Sequence, residues 1–262
     1  MAESDGRSAS TPVRRPSVIG HLGNTLAALD LVRASGADGV EFDVRRGADG
    51  TLLLHHDPFI EGSGPISRLS REQFPVNVPR LHDALEACGG LLVNIEIKNL
   101  PTDPDPDPAE HAAIEVARLL EDRSLVDNAI VSSFTIESLD AVRATNPLIP
   151  TGYLTLPAWD QTSALRRASA HGHRALHPHK TGVTPDLIEL VHAARMWTIP
   201  WAVDLFEDVL LAASDGVDAL ISDHPDAAVA ALGRRSSTAR PPFSGFLMPM
   251  EQKRIDPGRE GS

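Results

Sequence analysis

A chain of 262 residues, 42% hydrophobic and 23% charged, is long enough to bury a full-sized core and has the composition of a soluble globular protein. Its formal net charge of −12 argues against a nucleic acid as the main partner, and 4% aromatic residues leave few rings on which bases could stack. Cys88 is the single cysteine, so neither a disulfide framework nor a cysteine metal cluster is available, and no apolar run of about 18 residues is present to span a membrane.

Residues 1–16 are rich in Ser, Arg and Pro, carry no apolar segment of signal-peptide length, and are expected to form a flexible leader of a cytoplasmic protein. Ser17 to Leu22 is a short β-branched run that stops at His21 and Gly23. Asn24 is then placed to cap a helix whose Leu26, Leu29 and Val32 recur at helical spacing before Gly36 ends it. The stretch Gly39 to Pro58, GVEFDVRRGADGTLLLHHDP, reads as a strand, a turn at Gly47 to Gly50, and an apolar run ending in His55, His56 and Asp57. An irregular Gly- and Pro-containing connection over 59–80 leads to a helix around Leu81 to Ala87, whose neighbouring Cys88 reads as a buried thiol.

Leu91 to Lys98 is a strand with Asn94, Glu96 and Lys98 on one face. In residues 101–108, PTDPDPDP, a proline at every second position excludes helix and central strand and predicts an exposed extended loop. Helices over 109–123, 136–145, 161–171, 185–195 and 206–213 then alternate with strands over 128–134, 149–155, 175–179, 197–203 and 219–223. Eight strands, each followed by a helical segment, predict a single-domain (β/α)8 TIM barrel over 17–232, with a loose tail over 233–262. The competing doubly wound sheet lacks its G-x-G-x-x-G turn after the first strand.

In such a barrel the site lies where the strands end, at their C-terminal tips. Glu41 and Asp43 are two residues apart on one strand, so both carboxylates face the same way, and Glu96 joins them from the next strand. Converging like charges call for a cation between them. Oxygen donors favour one divalent cation, Mg²⁺ or Ca²⁺. With Lys98 and the histidines nearby, the set suits attack at phosphorus. His177 and His179 share a strand face and read as substrate-pocket residues, and Trp201 either walls the pocket or belongs to the core. Arg45 and Arg46 read as a solvated pair.

The segments HLGNTLAAL, GADGVEFDV, LLLHHDP, VNIEIK, VSSF, LHPHKTGVTPDLI and GVDALISDHP together resemble the glycerophosphodiester phosphodiesterase family, in order, over about residues 17–232. The resemblance implies a metal-dependent TIM barrel that hydrolyses glycerophosphodiesters to a phosphomonoester and an alcohol. It implies Glu41, Asp43 and Glu96 as metal ligands, His21 and His56 as the acid/base pair, and Lys98 beside the phosphate. The partner so implied is a small-molecule phosphodiester, with no nucleic acid and no integral membrane segment. Two departures stand out. Leu22 occupies the place of the arginine in the family's His-Arg-Gly, and the first loop is short, which resembles the sphingomyelinase D and phospholipase D branch. That branch implies a lyase giving a cyclic phosphate, and the lost arginine leaves open a non-catalytic barrel that only binds a phosphodiester.

Overall fold

The computed structural model describes residues 15–104 and 106–233. The expected leader, apart from Arg15 and Pro16, and the expected tail, apart from Gly233, lie outside the described residues. Eight parallel strands form the barrel: β1 (Ser17–Gly20), β2 (Gly39–Arg46), β3 (Leu92–Ile97), β4 (Ala129–Ser133), β5 (Thr151–Thr155), β6 (Ala175–Pro178), β7 (Trp197–Thr198) and β8 (Ala219–Ser222). They pair in the order β7-β6-β5-β4-β3-β2-β1-β8. The seam between β7 and β8 is closed by backbone bonds from Asp218 N to Thr198 O (3.0 Å) and from Ile221 N to Pro200 O (2.9 Å). Eight helices surround the sheet: α1 (Leu26–Ser35), α2 (Leu81–Cys88), α3 (His111–Asp122), α4 (Ile136–Thr145), α5 (Gln161–Ala170), α6 (Pro185–Ala193), α7 (Phe206–Asp215) and α8 (Pro225–Ala231). The (β/α)8 barrel read from the alternation is the observed fold. Among the described residues, no helix is long and apolar enough to cross a membrane.

Strand parity divides the core in two. Val40, Phe42 and Val44 of β2 and Val93, Ile95 and Ile97 of β3 point outward and pack with Leu29, Val32, Leu85, Val116 and Leu120 of the helices. Ile19, Leu92, Ile130, Ala175, Trp197, Ile199, Ala219 and Ile221 come from strands all around the ring and still touch one another, so they plug the barrel interior. Cys88 is buried at the end of α2, and burial pushes its thiol up to about 12, as expected of a packing residue.

The structure corrects two local expectations. The seventh strand is not 197–203 but Trp197–Thr198; beyond it Pro200 has no N–H to donate, although Ile199 N and Trp201 N still donate to β6 at Leu176 O (3.0 Å) and Pro178 O (3.1 Å). The cap of α1 is Thr25, whose hydroxyl accepts from Ala28 N (3.1 Å), rather than Asn24.

Inside the barrel Gly152 has a steric task. A Cβ there would collide with the ring Nε2 of His177, which is fully buried on the neighbouring strand β6. Gly152→Ala is therefore expected to destabilise the fold by about 1–3 kcal/mol in urea unfolding. Combining it with His177→Ala should recover part of that loss, whereas an additive double variant would mean that the two positions do not compete for space.

Candidate active site

Three inward positions of β2, Glu41, Asp43 and Arg45, are buried at the C-terminal end of the barrel. Beside them β3 brings Glu96, in register with Asp43, and then Lys98. His21 follows β1. The ligand atoms of His21, Glu41 and Asp43 lie within 4.8 Å of one another. His21 Nε2 is 3.2 Å from Glu41 Oε2 and 3.6 Å from Asp43 Oδ2, while its Nδ1–H donates to Asp223 Oδ1 at 2.9 Å. Glu96 stands outside that tight group: its Oε1 is 2.5 Å from Lys98 Nζ, which also reaches Asp43 Oδ1 at 2.9 Å. Lys98 thus fills the gap between two carboxylates on adjacent strands.

Asn24, freed from capping, clamps Asp43 at two points. Its Nδ2 donates to Asp43 Oδ2 (2.8 Å), and its Oδ1 accepts from the Asp43 backbone N–H (2.9 Å). The same amide aligns the strand and the carboxylate.

His56 arrives by a different route. β2 runs past the rim and turns back through Gly47–Gly50 into a short antiparallel strand, Leu52–Leu54, with Val44 opposite Leu54. Gly50 takes φ +89°, which favours glycine. The hairpin brings the backbone N–H of His55 onto Asp43 O (3.0 Å). His56 then lines a cavity of about 190 Å³ together with His21, Glu41, Asp43, Asn94, Glu96, Lys98, Phe134, Leu154 and Trp201. Its Nδ1–H donates to Asp57 Oδ1 (2.7 Å). His55 does not line the cavity; its Nδ1–H donates to the carbonyl of Asp57 (2.8 Å).

Arg45 is not solvated, contrary to the expectation from its residue type. It is buried, donating from Nε to the carbonyl of His56 (2.9 Å) and pairing Nη1 with Asp103 Oδ2 (3.0 Å). Asp103 also accepts from Leu100 N (3.0 Å), so one guanidinium joins the His56 loop to the proline-rich segment.

The remaining expected pocket residues separate. Trp201 lines the cavity, donates from Nε1 to His177 O (3.1 Å) and meets Phe134 edge-on at 5.6 Å. His179 packs edge-on against Trp201 at 5.0 Å and pairs with Thr181 Oγ1 (2.8 Å), outside the cavity lining. His177 is also outside that lining. Its ring is sealed inside the barrel with neither nitrogen hydrogen-bonded, and burial lowers it to about 3, so it is neutral.

The electrostatics follow from burying acids together. The charge of Glu41 raises His21 from its ordinary 6.5 to about 10. Burial raises Glu41 well above the usual carboxylate range and raises Glu96 as well. Asp43 goes the other way: burial opposes its ionisation, but the His21 hydrogen bond, the Lys98 charge and the Asn24 amide hold it below the ordinary range. Glu41 Oε1 is buried with no hydrogen-bond partner. An orphaned carboxylate oxygen beside a second carboxylate and an imidazole fits a divalent cation.

A model of the family described as "Glycerophosphoryl diester phosphodiesterase family" matches residues 6–227. The chain belongs to the glycerophosphoryl diester phosphodiesterase family. By family it is a phosphoric diester hydrolase. It is 27% identical over 229 residues to the glycerophosphodiester phosphodiesterase of Caldanaerobacter subterraneus subsp. tengcongensis, covering 78% of this chain and 89% of that one. Among solved structures it resembles a glycerophosphoryl diester phosphodiesterase of Silicibacter pomeroyi, with TM-score 0.75, 22% identity, and coverage of 85% and 94%. It also resembles a phosphodiesterase of Oleispira antarctica solved in complex with the product sn-glycerol-3-phosphate, with TM-score 0.70, 22% identity, and coverage of 84% and 97%. At such identities the solved relatives support the fold of the family.

Sequence alone does not single out Asn24, Asp223, Phe134 or Leu154 for the site. Asn24 reads as a helix cap, although the adjacent Asn24 and Thr25 are both cap formers and only one can cap. Asp223 was visible as a strand-end acid but not as the partner of His21.

Because His21 binds its proton more tightly in the folded chain than in the unfolded one, the stability it contributes is complete below about pH 6.5 and is lost as pH rises toward about 10. The melting temperature of chelator-treated protein is expected to fall across that window, and His21→Asn should flatten the decline. A wild-type curve that rises over the same range would contradict this electrostatic account.

Proposed function

We propose that the chain hydrolyses a glycerophosphodiester, or a lysophospholipid-like diester, to a phosphomonoester and an alcohol, with one divalent cation and a pair of histidines. The observation that carries the proposal is the single small cavity in which His21 and His56 meet Glu41, Asp43, Glu96 and Lys98. A volume of about 190 Å³ suits a phosphate with a small polyol better than a drug-sized ligand, which needs ~300 Å³ or more. The product bound to the Oleispira antarctica relative, sn-glycerol-3-phosphate, is of that kind.

Glu41 and Asp43 would hold the cation, with Glu96 as the third carboxylate. Bound there, Mg²⁺ or Ca²⁺ would polarise a non-bridging phosphate oxygen. Lys98, now shared between Asp43 and Glu96, would turn its ammonium toward the phosphate and release Glu96 as a ligand. His21 is oriented by Asp223 and His56 by Asp57. One imidazole takes the proton of the attacking water as its oxygen bonds to phosphorus, and the other gives a proton to the alkoxide as its bond to phosphorus breaks. Asn24 keeps Asp43 aimed, Arg45 fixes the backbone that carries His56, and Trp201 with Phe134 forms the wall on which the alcohol moiety rests.

Turnover of glycerophosphocholine and of a lysophospholipid, with and without chelator, tests this reading, and phosphorus NMR tells a monoester from a cyclic diester. Glu41→Gln is expected to abolish cation-dependent turnover while leaving the far-ultraviolet circular dichroism unchanged. Undiminished turnover would remove Glu41 from the cation's ligands. His56→Ala should lower kcat by about 10²–10⁴-fold and His55→Ala far less. The reverse ranking would show that the hairpin presents the other imidazole to the substrate.

A further inference from the structure

A second group of side chains of the kinds that can hold a metal ion sits at the other end of the barrel. Asp140 belongs to α4, His171 ends α5, and His173 precedes β6. Because α5 descends and β6 ascends, both histidines lie at the N-terminal ends of the strands, opposite the cavity that holds His21 and His56. One ligand atom from each of the three residues falls within 4.8 Å of the other two.

The independent observation is at His173. Its side chain is completely buried, and its Nε2 has no hydrogen-bond partner. That nitrogen is aimed at Asp140 Oδ1 across 3.6 Å, too long for a hydrogen bond in either tautomer. The other ring nitrogen is satisfied by Thr151 Oγ1 at 2.9 Å. When Nδ1–H donates to Thr151, the Nε2 lone pair is directed into the cluster, which is how histidine ligands are set by their outer partners. His171 completes the group: its Nδ1 is 2.8 Å from Asp140 Oδ2, and its ring stacks on that of His173 with centroids 6.0 Å apart and planes 17° apart. A buried nitrogen without a partner costs free energy, and a metal ion would relieve it.

We propose that Asp140, His171 and His173 bind Zn²⁺, joining α4 to the connection between α5 and β6. Two imidazoles and one carboxylate are borderline donors that suit zinc better than Mg²⁺ or Ca²⁺, and water completes the tetrahedron. The two imidazole nitrogens approach opposite oxygens of the Asp140 carboxylate, His171 Nδ1 at 2.8 Å from Oδ2 and His173 Nε2 at 3.6 Å from Oδ1, so the carboxylate lies between them and can offer an oxygen to a shared ion. Arg143, whose guanidinium packs over Gly172, adds one opposing charge and tempers the affinity. The ion would cross-link two helical segments without touching the catalytic end.

The test is calorimetric titration of Zn²⁺ into chelator-treated Glu41→Gln protein, where the cation site at the cavity is disabled. A zinc equivalent that raises the melting temperature is expected. His171→Ala, a change at an exposed ring that leaves the core untouched, and Asp140→Asn should each weaken binding by roughly 100-fold or more, and Arg143→Gln should tighten it. No zinc binding, or binding unaltered in both His171→Ala and Asp140→Asn, overturns the proposal. Turnover of His171→Ala in the otherwise wild-type chain is expected to be unchanged, so failure here stays distinct from failure of the phosphodiesterase reading.

Discussion

Burying carboxylates side by side is the constraint on which the C-terminal end of the barrel depends. Glu41, Asp43 and Glu96 cannot all be ionised in a closed space unless positive charge is interleaved with them. The chain supplies two cations of its own: His21, held protonated by Glu41, and Lys98, held between Asp43 and Glu96. One oxygen of Glu41 remains unmatched. The same arrangement therefore balances itself incompletely and leaves a place for further positive charge beside Glu41.

Floor and roof of the cavity are built differently. The floor is strand: Glu41, Asp43 and Glu96 ride on β2 and β3, whose register places Asp43 opposite Glu96, and their positions follow from the barrel itself. The roof is loop: His56 hangs from a hairpin that has left the barrel and is held there by Arg45 and by the His55 N–H on Asp43. His21 lies between the two cases, one residue beyond β1 and steadied by an acid from beyond β8, a strand hydrogen-bonded to β1.

Parity and alternation carried the reading of the sequence a long way. Eight strands could be counted because apolar runs are separated by helical periodicity, and Glu41, Asp43 and Glu96 could be placed together because residues two apart share a face. What parity lacks is depth. His177 and His179 do share a face, yet one is sealed in the interior against Gly152 and the other lies beyond the strand end, because depth depends on the stagger between strands. Arg45 misled for the opposite reason. Its parity matched Glu41 and Asp43, but arginine is so common on surfaces that residue type outweighed position. The rivalry of Asn24 and Thr25 for one helix end is settled by Asp43, some 20 residues downstream, which no local pattern contains.

The bond from Arg45 to Asp103 gives the proline-rich segment a meaning beyond its composition. The described residues of 101–108 are far in sequence from His56 and do not line the cavity, yet Asp103 among them shares a guanidinium with the loop that does. A change in that segment's length or sequence would alter the tension on the roof while the floor stayed where the barrel holds it. Editing a surface loop can in this way move the loop that carries His56 while Glu41, Asp43 and Glu96 stay where the strands hold them.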